Sequence, residues 1–321
     1  MRYSFLLSGE NIEIALAEVF SLAECFGKLK EYFIDSRVLT IDFEGDNFFK
    51  RLAFSHEAIE LLHICDFYEL EKFFSEINVN RSICVRISGI GLKSDASLER
   101  KLGAILWKKG VKINLVDPDE TIRVYITPQN CYIGLLRFKQ DKKQFLVRKP
   151  NLRPFFMPIV TLPKLSKALV NLTAVREGIV LDPMCGTGSF LIEAGLMGID
   201  FCGIDYYRDI VEGCRRNLDF MGLGGNVLQG DARNLPFKDE SFDGVITDYP
   251  YFKATRKINC RYLYERSLEE IARVIKKNCR AVIVTNIDID EFPMEVIYKM
   301  KYRVHGSLTR RIYVLKNCRI D

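Results

Sequence analysis

Apolar positions change their rhythm partway along the chain. Over the first 140 residues they recur at helical spacing or alternate with polar ones; beyond that, short unbroken apolar runs take turns with amphipathic stretches. Residues 3–7 read as a strand. Residues 11–26 carry Ile12, Leu16, Val19, Phe20 and Ala23 at helical spacing and stop at Gly27. Residues 32–34 and 38–43 predict two more strands around an Asp35-Ser36 turn, giving a small α+β unit over 1–45 that is too small for a large core of its own. From 46 to 140 the pattern predicts helices over 52–65 and 67–77 and a strand over 83–87. A helix over 94–109 comes next, with Ser94 or Asp95 as N-cap and Gly110 as stop, and then a pair of strands over 122–126 and 132–138.

Residues 141–321 read differently. The segment opens on a basic stretch, and Pro154, Pro158 and Pro163 keep the chain extended as far as a helix over 165–172. Buried-type strands are then expected at 179–181, 201–204, 227–229, 243–247 and 281–284, separated by helices from Thr187 onward, over 208–220 and over 260–276. A helix over 291–300 and a closing hairpin made by Val304 and residues 312–315 complete an α/β domain.

Composition changes this picture little. The chain has 321 residues, more than one typical domain, and is 48% hydrophobic and 28% charged, as ordinary globular proteins are. A net charge of +5 permits a nucleic-acid partner without demanding one. The ten cysteines are scattered with no C-x-x-C pair, and His56, His63 and His305 are the only histidines, so no metal site is expected. His63-Ile64-Cys65 is read as packing on an apolar helix. Unpaired cysteines fit a reducing cytoplasm, and the first residues lack the layout of a secretory leader. No apolar run reaches the roughly 18 residues that a membrane span needs, so no membrane partner is expected.

The candidate chemistry begins at Val180-Leu181-Asp182-Pro183-Met184-Cys185-Gly186-Thr187-Gly188-Ser189-Phe190-Leu191. A buried strand leads into a glycine turn and a helix start, and open α/β sheets bind ligands at the carboxyl ends of their strands. Gly186 and Gly188 let the backbone approach a ligand. A dinucleotide fingerprint would place glycine where Leu191 stands, and Asp182 would repel a pyrophosphate. A cofactor carrying a sulfonium, an amine and ribose hydroxyls suits the same turn, which favours S-adenosyl-L-methionine. Asp205 ends the second strand at a spacing suited to ribose hydroxyls, a role compatible with capping the next helix. Asp231, in Gly230-Asp231-Ala232 after the third strand, is a turn residue by default. In series with Asp182 and Asp205 it becomes a candidate acceptor for an adenine amine.

The fourth strand ends in Asp248-Tyr249-Pro250-Tyr251. A carboxylate and a neighbouring backbone carbonyl at that place can both accept hydrogen bonds from one exocyclic NH2. Those bonds strengthen as the nitrogen becomes tetrahedral and more positive. Pro250 fixes the backbone, and Tyr251 offers a ring for stacking. A proline turn that merely ends the strand accounts for the tetrapeptide equally well. Lys142, Lys143, Arg148, Lys149 and Arg153 dominate the segment before the prolines. A run of this kind is usually solvated, but between two modules it can also carry a phosphate backbone. Lys253, Arg256, Lys257 and Arg261 raise the same two possibilities beside the tetrapeptide.

The Asp182-to-Gly188 motif followed by Asp248-Tyr249-Pro250-Tyr251 resembles the class I, Rossmann-like amino-methyltransferases of nucleic acids, whose second motif is Asp or Asn, Pro, Pro, aromatic. Together with Arg153-Pro154-Phe155-Phe156-Met157-Pro158 and Val170-Asn171-Leu172, the chain resembles the THUMP-containing tRNA guanosine N2-methyltransferases that modify guanosine 10. The resemblance covers the whole chain, with its strong motifs in the last domain only. It implies a ferredoxin-like piece over 1–45, a THUMP RNA-binding domain over 46–140, and a basic linker with a Rossmann-like methyltransferase domain over 141–321. It implies that Asp182, Pro183, Cys185, Gly186, Thr187, Gly188, Asp205, Asp231 and Ala232 hold the cofactor. Asp248 and the backbone of Tyr249 or Pro250 would hold the guanine amine, with Tyr251 stacking on the base. The partner is then tRNA bound by a cytoplasmic monomer, and a small activator protein enters consideration because eukaryotic relatives require one. One departure stands out: Tyr249 replaces the family's first proline, which bears on rate and on the number of methyls added. The alternatives are a guanine elsewhere in tRNA or in rRNA, adenine N6 in DNA, and an RNA-binding protein with an inactive methyltransferase domain.

Overall fold

The computed structural model describes residues 1–91, 96–158, 160–251, 260–306 and 308–318, and divides the chain into two compact units. The first holds Met1–Leu16, Gly27–Lys50 and Phe54–Gln140. The second holds Ala17–Phe26, Arg51–Ala53 and Asp141–Asp321.

The elements up to residue 140 are β1 (Arg2–Leu7), α1 (Ile12–Phe26), β2 (Gly27–Asp35), β3 (Val38–Gly45), β4 (Ser55–Cys65), α2 (Leu70–Glu76), β5 (Ile83–Gly89), α3 (Ala96–Lys108), β6 (Glu120–Ile126) and β7 (Cys131–Lys139). The seven strands form one sheet in the order β2-β3-β1-β4-β7-β6-β5. All its pairs are antiparallel except β5 with β6. A separate domain over 1–45 was expected; instead β1 pairs directly with β4, so a single sheet runs through the boundary.

The helix expected over 52–65 is also replaced by a strand. Leu61, Leu62, Ala58 and the two glutamates of this segment favour helix, but β4 lies between β1 and β7, and that pairing on both edges overrides local propensity. Glu57, buried within β4, is forked by Arg123 at 2.6 and 2.8 Å. His63 therefore sits on a strand, where its ring stacks on Phe73 at 4.9 Å. Helix α3 ends before Gly110, whose φ of +88° lets the chain turn away. The expected caps Ser94 and Asp95 lie outside the described residues.

From residue 141 the elements are α4 (Lys143–Leu146), α5 (Pro163–Leu172), β8 (Ile179–Asp182), α6 (Ser189–Leu196), β9 (Asp200–Asp205), α7 (Arg208–Phe220), β10 (Asn226–Gln229), β11 (Phe242–Asp248), α8 (Cys260–Val274), β12 (Ile275–Thr285), β13 (Glu295–His305) and β14 (Leu308–Lys316). The sheet runs β10-β9-β8-β11-β12-β14-β13, parallel through the first five strands, with β14 and β13 antiparallel. Leu268, Ile271 and Ala272 of α8 share a buried cluster with Val245, Ile283 and Tyr313, each large apolar side chain stabilising the fold by roughly 1.5–3 kcal/mol. The helix expected over 291–300 is the strand β13. Tyr298, Met300, Tyr302 and Val304 alternate with polar residues, and the period of two wins over helical spacing.

The second half of α1 belongs to this unit through a buried polar network. Glu18 Oε1 accepts from Ala53 N at 2.9 Å and from Asn171 Nδ2 at 2.8 Å, and Arg51 Nε donates to Asn171 Oδ1 at 3.1 Å. Arg280 of β12 donates to Ser21 Oγ at 3.0 Å and pairs with Glu24.

Candidate active site

Strand order reverses at β8, which has β9 on one side and β11 on the other. A crevice forms at such a reversal, at the strands' carboxyl ends. Here it is a cavity of about 680 Å³ with walls that include Asp182, Asp205, Asp231 and Asp248.

The glycine turn comes directly after β8. Gly186 and Gly188 take φ of +51° and +81°, which L-residues avoid. Cys185 N donates to Ile204 O at 2.8 Å, and Gly186 N donates to Asp205 Oδ2 at 3.0 Å. The turn is thereby fastened to the end of β9. A Cβ on Gly186 would meet nothing within 4 Å, so the turn leaves open space on that side. A Cβ on Gly188 would lie 2.7 Å from Cys214 Sγ. Asn217 of α7 donates to Thr187 O and Phe155 O, both at 2.9 Å, and holds the proline-rich segment to the turn.

The carboxylates are not equivalent. Burial pushes Asp182 well above the ordinary carboxylate range; the Met184 N–H opposes this, and Asp205 and Asp248 push it further up. Burial also raises Asp205, against its bonds from Tyr207 and Gly186. Asp231 is held below the usual range, chiefly by the Arg233 guanidinium, whose Nε and Nη2 lie 2.9 and 2.6 Å from Oδ1 and Oδ2. Three clustered acids, two of them raised by burial, suit a ligand bearing positive charge and hydroxyls, and disfavour a diphosphate. The donor set therefore fits S-adenosylmethionine. Pro183, Cys185 and Thr187 line the same cavity, as does Ala232.

Asp248 closes β11. Its Oδ1 accepts from Tyr251 Oη at 2.7 Å, its Oδ2 accepts from Thr161 Oγ1 at 2.9 Å, and Arg310 Nε lies 3.3 Å from Oδ2. Burial raises this carboxyl, and Arg310 is the main opposing influence. Thr161 and Arg310 were not among the expected residues. Arg310 shares a strand face with buried Ile312 and Val314, and a charged residue in such a set is the one signal the chain offered.

The two tyrosines of the tetrapeptide lie in different surroundings. The Tyr251 hydroxyl is committed to Asp248 and Arg310. Tyr249 turns its ring into the core, stacked on Tyr264 at 4.3 Å with its hydroxyl 2.6 Å from Ser267 Oγ. Its extra ring thus packs in the core, and its backbone N is held by Val284 O at 2.9 Å.

The basic run also divides. Lys142, Lys143 and Lys149 are exposed. Arg148 and Arg153 were expected to contact RNA, but both are buried. Arg148 forks Glu193 at 2.7 and 2.9 Å, and Arg153 Nη1 donates to Ser189 Oγ at 2.9 Å. Arg261 is exposed and pairs with Glu265, while Lys253, Arg256 and Lys257 lie outside the described residues. Among the described residues no cluster of potential ligands could hold a metal ion, and no helix is long and apolar enough to cross a membrane.

Comparison with known proteins adds a family. The model of the RMKL-like methyltransferase domain family matches residues 150–310. The tRNA (guanine(10)-N2)-dimethyltransferase of Pyrococcus abyssi is 32% identical over 95% of this chain and 96% of its own length. The enzyme of the same name from Methanocaldococcus jannaschii is 33% identical over 97% and 99%. Among solved structures, TrmN from Thermus thermophilus aligns with a TM-score of 0.56 at 18% identity, covering 98% of this chain and 99% of that one. At that identity the likeness concerns the fold.

Proposed function

The chain belongs to the family of tRNA (guanine(10)-N2)-dimethyltransferases, and on that premise we propose that it methylates the exocyclic N2 of a tRNA guanosine, at position 10, with S-adenosylmethionine as the donor. Asp248, in one cavity with Asp182 and Asp205, is the observation that carries the reading.

Bound at the glycine turn, S-adenosylmethionine would supply an electrophilic methyl group. Asp182, Gly186, Gly188, Asp205 and Asp231 would hold it, with Pro183, Cys185, Thr187 and Ala232 shaping the wall. Asp248 and the backbone carbonyl of Tyr249 or Pro250 accept the two hydrogens of the guanine amine and keep its lone pair directed at the methyl. These bonds strengthen as the nitrogen gains positive charge, and an Asp248 oxygen can take the proton that the nitrogen releases. The base must leave its stack to reach the cavity, and Tyr251 would offer it a ring to stack on.

The seven-stranded unit before residue 140 is read as the RNA-gripping part, its later portion as THUMP and its beginning as ferredoxin-like. Exposed Lys142, Lys143 and Lys149 would meet phosphates. Nine of the ten cysteines are seen as free thiols, as suits a reducing cytoplasm. The binding-only alternative rested on Tyr249; burial of its ring in the core speaks against an obstruction of the site by that ring.

The test is methyl transfer from labelled S-adenosylmethionine to an unmodified tRNA transcript, with digestion to nucleosides. Label in N2-methylguanosine or its dimethylated form, mapped to position 10, is expected. Asp248→Ala should lower the rate by at least about 100-fold with cofactor affinity kept within a few-fold. Bound cofactor without label in the wild type would overturn the enzymatic reading.

A further inference from the structure

Asp248 is surrounded by donors that the motif itself does not contain. We infer that Arg310 is a positioning residue for methyl transfer: from β14 it fixes Tyr251 and holds the Asp248 carboxylate as an acceptor for the amine. The inference rests on the methyltransferase function proposed above.

Arg310 is 2% exposed, an arginine placed in the interior. Its Nε reaches two oxygens, Tyr251 Oη at 2.8 Å and Asp248 Oδ2 at 3.3 Å. Arg311 registers with Thr285, the last residue of β12, so Arg310 stands just past the end of that strand and reaches the end of β11. Tyr251 Oη accepts from Arg310, and its hydrogen goes to Asp248 Oδ1 at 2.7 Å. The relay therefore has a direction, guanidinium to phenol to carboxylate, and such chains strengthen one another. Thr161 adds a donor at Oδ2. A carboxylate has about four acceptor positions, so three donors leave one for an incoming N–H.

Three donors around one carboxyl favour its ionised form. The surroundings otherwise oppose ionisation, because Asp248 is desolvated and stands close enough to Asp182 for their charges to repel. The groups facing Asp248 are Arg310 from β14, Asp182 from β8, and the hydroxyls of Tyr251 and Thr161. Arg310 is the one cation among the described residues that contacts it. A neutral Asp248 would present a hydroxyl where the amine needs an acceptor. Arg310 touches no reacting atom and acts through Asp248 and Tyr251.

A carboxyl beside a guanidinium stays ionised to lower pH, by about 1–3 units for a close pair. Arg310→Gln keeps a hydrogen-bond donor and removes the charge, so the acidic limb of the rate profile should move up by at least about 1 pH unit. On the acidic side of both limbs a one-unit shift lowers the rate about tenfold, and the variant recovers as pH rises. Arg310→Lys restores the charge and should return the limb close to that of the wild type. The rate constant at saturating cofactor and tRNA is measured against pH, so that titration of Asp182 through cofactor binding does not enter. Cofactor affinity and melting temperature are measured alongside. A uniformly lower rate with an unshifted limb would assign Arg310 a merely structural role and overturn the inference. If Arg310→Gln fails to fold, Tyr251→Phe serves: it removes one donor from Asp248 and should raise the limb by a smaller amount, whereas an unmoved limb refutes the relay. A wild type without methylation would count against the proposed function instead, so the two failures are distinguishable.

Discussion

Replacing Arg148 with Met separates two roles that its position in a basic run allows. Arg148 places Nε and Nη2 at 2.7 and 2.9 Å from the two oxygens of Glu193, and the Glu193 side chain is 1% exposed. Its own carbonyl accepts from Arg153 Nη2 at 3.1 Å, and Arg153 goes on to Ser189 at the start of α6. Burial already pushes the Glu193 carboxyl up, and the fork from Arg148 is what chiefly opposes that. Removing the guanidinium strands a carboxylate in the interior, which costs about 3–5 kcal/mol. For a unit of this size each kcal/mol is about 2–4 °C in Tm, so a fall of roughly 6–20 °C is expected at neutral pH. The deficit should shrink on acidification. In the variant the folded pKa of Glu193 rises further above its unfolded value, so the folded state binds the extra proton, and stability is regained as pH falls through that raised pKa. Replacing Glu193 as well, by Leu, should restore only part of the stability, because buried Arg153 and Lys167 also face that carboxylate. Calorimetry of the full chain reads all three quantities. A Tm change below about 2 °C, accompanied by weaker tRNA binding and a flatter salt dependence, would refute the buried-pair account and restore Arg148 to the RNA surface.

The glycine turn makes two unequal demands. Gly186→Ala meets only the backbone strain of φ +51°, about 1–2 kcal/mol, but adds a methyl in the cavity wall, so cofactor affinity should fall further than Tm suggests. Gly188→Ala meets the same strain and places Cβ 2.7 Å from Cys214 Sγ; it should cost more than Gly186→Ala and be partly relieved by Cys214→Ala. Equal melting losses for the two alanines would remove Cys214 from the account. Changing Lys142, Lys143 and Lys149 together to Gln should leave Tm unaltered and reduce the salt slope of tRNA binding by about 0.7–0.9 for each phosphate that the lysines neutralise. An unchanged slope would make the three lysines solvated surface.

How far the chain could be read depended on how local each cause was. Strands β8, β9, β11 and β12 are buried on both faces, so Val180-Leu181, Phe201-Cys202 and Val245-Ile246 appear as apolar runs and fix the parallel sheet. Strand β4 was hidden because its residues favour helix; only β1 and β7, distant in sequence, make it a strand. The same β1–β4 pairing erased the boundary near 45, and the polar network of Glu18, Arg51 and Asn171 assigned half of α1 to the second unit. Neither pairing leaves a trace in the spacing of either segment alone.

At the site the division is similar but sharper. Asp182, Asp205, Asp231 and Asp248 each stand at or just past a strand's carboxyl end, and that placement is local, so their convergence could be foreseen from strand order alone. Arg310 and Thr161 reach Asp248 through side chains whose backbone lies elsewhere in the fold, and no motif links them to it. The arginines of the basic run show why charge alone misleads. Phe145 and Arg148 are three residues apart, both buried, with the guanidinium carbon 5.0 Å from the ring centroid. Lys142, Lys143 and Lys149 in the same run stay in water. An apolar ring three positions before an arginine puts both on one face of a helical turn, and burying the ring brings the guanidinium with it. Such a guanidinium needs an anion inside the protein, and Glu193, the buried acid of α6, is that anion.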